Sequence, residues 1–335
     1  MKFKKNSGYD TGEKKKSRFN PFTRYGKDGA GIEIEENLIE NPNLKNFFKL
    51  FTRKFREICT LNLYYVFGNF PIFFAMFALS GYVSMTSTAP YHQVFAPLRG
   101  VLKFESSAVS AALGNIFGIE AQITVNTTAT YIFYALTALI FLTFGLVNVG
   151  VTFNMRNLIC AEPVFMWSDF WYAIKRNLRQ AIIFGIIDLA LTLLLAWDVF
   201  YCYHNLGPTM VNVMFYFTLF GAVIYFFMRF YIYLMMVTYD LSLFKLIKNG
   251  LIFSLLGFKR NIMAMLGIVV ILAMNYVLLS VYIPIGIIIP FIFLFGAGTF
   301  ISAYAAYPKI KMIDSGEGAD DETASEANAV PEELM

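Results

Sequence analysis

Two ionisable residues interrupt two adjacent apolar runs. Asp188 lies inside AIIFGIIDLALTLLLAWDVFYCY (181–203), and Arg229 inside MVNVMFYFTLFGAVIYFFMRFYIYLMMV (210–237). Only HNLGPT (204–209) separates the runs. If both cross a bilayer they form an antiparallel hairpin with its tip near residue 206. Asp188 then lies about 18 residues before the tip and Arg229 about 23 after it, a depth mismatch of roughly 7 Å at about 1.5 Å per residue. Tilt and two extended side chains bridge that gap. An ionisable group in hydrocarbon costs several kcal/mol unless it is paired or wet, so the spacing predicts an intramembrane ion pair. Its chemistry is either structural, a salt bridge locking the bundle, or functional, a gate or a solute or proton site. Opposite charges that neutralise one another favour the first.

Other reactive constellations are missing. The sequence has no GxxxxGK[ST] phosphate loop, no HExxH and no GxSxG, which argues against an ATPase or a hydrolase. Three cysteines (Cys59, Cys160, Cys202) lie far apart, and two histidines (His92, His204) make no metal cluster. No metal, cofactor or nucleic acid is expected. The remaining polar residues within apolar runs are Asn62, Asn69, Asn148, Asp198 and Asn275. Of these, Asn148 and Asn275 are placed to hydrogen-bond across helices.

The elements that must position the pair are helical. The chain has 335 residues, 57% hydrophobic and only 15% charged, where soluble domains carry about 25% charge. The charge is segregated. Residues 1–60 hold 14 Lys/Arg and 8 Asp/Glu, and from Asp314 onward there are 8 acids and no basic residue. This predicts an all-α polytopic transmembrane bundle of about six spans between two wet tails. The spans fall near 61–85, 129–153, 181–203, 210–237, 262–281 and 285–307. The first has a kink at Asn69-Phe70-Pro71. Because the first long apolar run starts near Leu61, no cleavable leader is expected.

The segments 1–44 and 312–335 read as disordered, basic and acidic respectively. Between the first tail and the first span, NLKNFFKLFTRKFREICT (43–60) repeats Phe47, Phe48, Phe51, Phe55 and Ile58 at helical spacing among basic residues. That is an amphipathic helix suited to a membrane surface with anionic lipids. Basic residues concentrate in 154–180, in 238–261 and at Lys309 and Lys311. The positive-inside rule then places both termini in the cytoplasm. The loop 86–128 would lie outside, contains a candidate amphipathic helix, and carries the sequon Asn126-Thr127-Thr128.

A partial internal repeat lies at the basic end. FWYAIKRNLRQAIIFGI (170–186) parallels FSLLGFKRNIMAMLGI (253–268), so Lys175-Arg176-Asn177 aligns with Lys259-Arg260-Asn261. The two copies read either as interfacial anchors with snorkelling basics or as docking helices for a partner. Asp169 and Asp240 are candidate caps upstream of them. In the last span Gly298, Ser302 and Ala306 recur every four residues, a stripe suited to close helix packing.

Four stretches together carry a resemblance: LNLYYVFGNFPIFF, VNVGVTFNMRNLICAEPVFMWSDFWYAIKRNLRQA, FFMRFYIYLMMVTYDLSLFKLIKNGLIFSLLGFKRNIMA and AYAAYPKIK. Over roughly residues 46–311 the chain resembles the YesL-like family of bacterial integral membrane proteins, most specifically across 148–181. Loop 86–128 resembles an insertion found in some members. The resemblance implies a bacterial plasma membrane, where the sequon has no meaning. It also implies an accessory role in carbohydrate uptake beside an ATP-binding-cassette permease, and it carries no catalytic or binding residue over. The expected function is therefore that of a non-enzymatic accessory or assembly partner. The alternative is a small-solute transporter or channel using the Asp188–Arg229 region.

Overall fold

The computed structural model describes residues 43–104, 107–116 and 118–314. The tails expected at 1–44 and 312–335 fall, but for their inner ends, outside the described residues. In chain order the elements are α1 (Leu44–Arg53), α2 (Phe55–Gly68), α3 (Pro71–Leu79), β1 (Ser84–Pro90), α4 (Ala96–Phe104), α5 (Ala108–Ile116), β2 (Glu120–Asn126), α6 (Thr128–Thr137), α7 (Ile140–Ile159), α8 (Met166–His204), α9 (Thr209–Thr238), α10 (Leu243–Leu256), α11 (Phe258–Val281), α12 (Ile283–Ile289), a π turn (Pro290–Leu294) and α13 (Phe295–Asp314). The architecture is the all-α bundle its apolar runs predict. Five helical stretches are long and apolar enough to cross a membrane, and a sixth crossing exists if α2 and α3 form one broken span. That break falls at Asn69 and Phe70, as the proline at 71 predicts.

The chain forms two compact units, one of residues 69–140 and the other of the chain on either side. Within 69–140, Phe133 of α6 packs on Phe74 and Phe77 of α3, with ring centroids 5.8 and 6.1 Å apart. Loop 86–128 holds the expected short amphipathic helix, α4, but also an antiparallel two-stranded sheet. Ser84 pairs with Asn126 and Pro90 with Glu120. Arg99 of α4 fastens the helix to this hairpin through a 3.0 Å ion pair with Glu120 and a hydrogen bond to the carbonyl of Thr88. Asn126 ends β2 and Thr127 caps α6, its hydroxyl accepting from the amide of Thr130 in a capping box.

In the other unit the core lies toward one end of the helices. On α9 every residue from Tyr231 to Thr238 is buried, whereas Met210, Phe217 and Phe220 are exposed. On α8 burial is dense from Phe170 to Leu189 and then stops, apart from Cys202. The buried end carries the basic loops and is called the basic end below. Helices approach closely there. Gly145 of α7 faces Gly185 of α8, and a Cβ on either would collide with the other's backbone.

The amphipathic segment 43–60 differs from expectation. Asn43 caps α1 by accepting from the amide of Asn46, but the helix breaks at Lys54 and restarts as α2. Its aromatic stripe meets protein. Phe47 and Phe51 stand 5.7 Å from Phe300, and Phe47 is 5.3 Å from Tyr304, both on α13. The rings that the sequence assigns to a lipid surface find an aromatic face on the last helix, and only Phe48 and Phe55 remain exposed.

Candidate functional site

Asp188 and Arg229 meet in the bundle, with Nε of Arg229 2.6 Å from Oδ1 of Asp188. The carboxylate is fully enclosed, while the arginine side chain keeps 21% of its surface. Two tyrosines complete the carboxylate's shell. Tyr225 donates to Oδ1 and Tyr233 to Oδ2, each at 2.7 Å. Tyr225, Arg229 and Tyr233 are spaced by four on α9, so they share one helix face and reach the same acid. The ring of Phe184, one turn before Asp188, meets Tyr233 edge-on at 5.1 Å, and the Arg229 guanidinium lies 5.6 Å from the centre of the Phe144 ring. The sequence names the acid and the base but not the two tyrosines, whose only signal is their spacing of four on either side of Arg229. A carboxylate held by a cation and two hydroxyl donors is fixed in position and orientation.

Beside the pair lies a cavity of about 300 Å³. Arg229 and Tyr233 form part of its wall, with Asn148 and Thr152 of α7, Ile268, Ile271 and Leu272 of α11, and Gly298, Thr299 and Ser302 of α13. This corrects the expectation of a packing stripe. A Cβ on Gly298 would meet nothing within 4 Å, and the Ser302 hydroxyl donates to the Gly298 carbonyl at 2.8 Å. These two residues face open space, and only Ala306 is fully buried in the core. The close crossing on α13 falls at Gly296, against Ile58 and Asn62 of α2. Asn148 reaches another helix, its side chain hydrogen-bonding Tyr65 of α2, and its amide also donates to the Phe144 carbonyl of its own helix at 2.8 Å. The buried Oδ1 of Asn275 has no hydrogen-bond partner among the described residues.

The two KRN segments lie at one end of the bundle and repeat one pattern of burial: lysine exposed, arginine half-buried, asparagine buried. Arg176 donates to the carbonyl of Val237 at 2.6 Å, and Gln180 donates to that of Leu241 at 2.8 Å, so both satisfy backbone at and beyond the end of α9. Arg176 also lies over the rings of Phe153 and Tyr172. Asn177 departs from helical geometry, with φ −112° and ψ 15°, and kinks α8 where the amphipathic first part meets the span. Asn261 accepts from Tyr231 and donates to Ser254, each at 2.9 Å, tying α9, α10 and α11 together. As docking residues, Arg176, Asn177 and Asn261 are therefore committed to the fold. Lys175 and Lys259 are the exposed members, and Arg260 is half-buried. Neither aspartate holds the expected cap position: Phe165 is the cap of α8, with Asp169 inside the first turn accepting from the Phe165 amide at 2.8 Å, and Ser242 holds the cap position of α10.

Two further features escaped the sequence reading. Asn62, fully buried on α2, donates to the carbonyls of Pro290 and Phe291 at 2.9 and 2.6 Å and accepts from the amide of Gly296 at 2.8 Å. It thus serves the backbone groups that the π turn releases from the usual helical ladder. In the last turn of α7, Arg156 forms a forked ion pair with Glu162 of the loop that follows, with contacts of 3.0 and 3.4 Å. Cys160 beside it keeps some surface, yet the protein packed around it pushes its thiol up to about 11. Against known proteins, no family model, no curated protein and no solved structure matches this chain.

Proposed function

We propose that the chain is a non-enzymatic membrane protein that assembles with a partner at its basic end. The partner that the YesL-like resemblance suggests is a permease subunit of a carbohydrate uptake system of the ATP-binding-cassette type. The observation that carries this reading is the pair of exposed lysines, Lys175 and Lys259, on a fixed scaffold. Arg176 reaches Val237, and Asn261 reaches Tyr231 less than two turns earlier on α9, so both lysines stand at the same end of the bundle. Trp167 and Phe244 are exposed on the helices of that end. By the positive-inside rule this end faces the cytoplasm of a bacterial plasma membrane, beside anionic lipid, with both termini there.

The test is co-purification in mild detergent. Stoichiometric recovery of permease subunits, lost in the Lys175→Gln/Lys259→Gln variant, is the expected result. Neutralising Arg176 as well would confound it, because that residue holds α9. Solute flux by the purified protein alone in liposomes would overturn the reading. Such flux would favour the second one, a small-solute transporter, for which the cavity beside Arg229 speaks.

A further inference from the structure

We infer that the cavity beside Arg229 is a binding site for a neutral, hydroxyl-bearing small molecule or headgroup. The inference needs no partner protein, so it stands or falls apart from the assembly reading. Its ground is the donor and acceptor balance of the wall. Asp188 engages Arg229 at Nε, and the surface that the arginine keeps faces the cavity. On α13 the hydroxyls of Thr299 and Ser302 spend their protons on their own helix, at 3.0 Å to the Phe295 carbonyl and 2.8 Å to the Gly298 carbonyl. What they offer the cavity is lone pairs. The wall therefore donates from one side, through the guanidinium, and accepts on another.

Charge narrows the ligand. The carboxylate of Asp188 already balances Arg229. An anionic ligand would bury one uncompensated negative charge in apolar surroundings, at a large desolvation cost. A cation would meet the guanidinium. A neutral group that both accepts from Arg229 and donates to Thr299 and Ser302 fits, and a hydroxyl does both. Two hydroxyls on neighbouring carbons serve the two walls at once. The third wall, Ile268, Ile271 and Leu272, is aliphatic and suits the carbon frame of such a molecule. At about 300 Å³ the space holds on the order of ten waters at about 30 Å³ each, the small end of ligand pockets.

Two sources present this chemistry: a free polyol from water and the glycerol end of a neutral lipid. The full chain in detergent would be titrated with myo-inositol, with a monoacylglycerol, and with octanoate as the anionic control, reading thermal unfolding and equilibrium binding. The expected result is saturable binding of one hydroxylated probe, with at least a tenfold preference over octanoate. Binding of myo-inositol assigns the free polyol, and binding of the monoacylglycerol alone assigns the lipid. Gly298→Leu fills the cavity from a position with open space, so it should melt like the parent and bind at least tenfold more weakly. Thr299→Val, of equal size, should weaken binding severalfold, and it keeps the test open if the leucine variant misfolds. Unchanged affinity in every variant that folds, a preference for octanoate, or no saturable binding of either hydroxylated probe overturns the proposal.

Discussion

Asp188 has more partners than its sequence position announces. A buried ion pair is close to break-even as a whole, because desolvation offsets attraction, but removing one partner strands the other. Asp188→Asn should therefore cost about 3–5 kcal/mol of stability in a chemical unfolding titration in detergent. The double replacement Asp188→Leu/Arg229→Met should recover only part of that loss, because it removes both charges but leaves the hydroxyls of Tyr225 and Tyr233 without their acceptor. An asparagine variant that unfolds with the parent would show that the pair bears no structural weight. Tyr233→Phe removes one charged hydrogen bond and should cost about 1.5–3 kcal/mol. Cys160 supplies a pH-dependent readout. With Cys59 and Cys202 changed to serine, iodoacetamide should label it slowly at pH 8 and increasingly fast toward pH 11, since the thiolate is the nucleophile. The folded state holds this proton more tightly than an unfolded thiol near 9. Its small contribution to stability is thus whole below pH 9 and lost as pH rises through about 11. Fast labelling at pH 8 would mean that the thiol is not enclosed. The acid and the base of the site were legible because charge is rare in apolar runs. The tyrosines were not, because a tyrosine in such a run fits lipid and core equally well.

At the scale of elements, the six apolar runs were legible because a crossing needs about 20 apolar residues and few other structures do. The break at 69–70 was legible from its proline. The hairpin was not: SMTSTAP and EAQITVN are short, and Pro90 and Glu120 pair across 29 intervening residues. The π turn was hidden for a different reason. Asn62 stabilises it from a helix 228 residues earlier in the chain. Asn62→Ala leaves two carbonyls and one amide without their partner, and it should cost about 1–3 kcal/mol in the same unfolding titration. Parent-like stability in that variant would mean that the turn holds itself. The glycines divide in the same way. Gly185→Ala forces backbone apart at the Gly145 crossing and should destabilise by about 1–3 kcal/mol, whereas Gly298→Ala should be near neutral. Sequence spacing alone had assigned close packing to Gly298.

For the whole molecule, burial along α9 sets an order of opening. Backbone amides in 227–238 should resist hydrogen exchange far longer than those in 210–222, because helices open first where they lack packed neighbours. Uniform protection along α9 in detergent would contradict that gradient. The same asymmetry has a consequence for the solvent. Helix α9 has 30 residues, about 45 Å at 1.5 Å per residue, against a hydrocarbon core near 30 Å. Where protein packs against protein, lipid chain length matters little. Where Met210, Phe217 and Phe220 stand exposed, acyl chains must complete the packing. Bilayer thickness therefore acts on one end of α9 and not the other, so a change in membrane composition would tilt the loosely packed end of that helix while its basic end keeps its form.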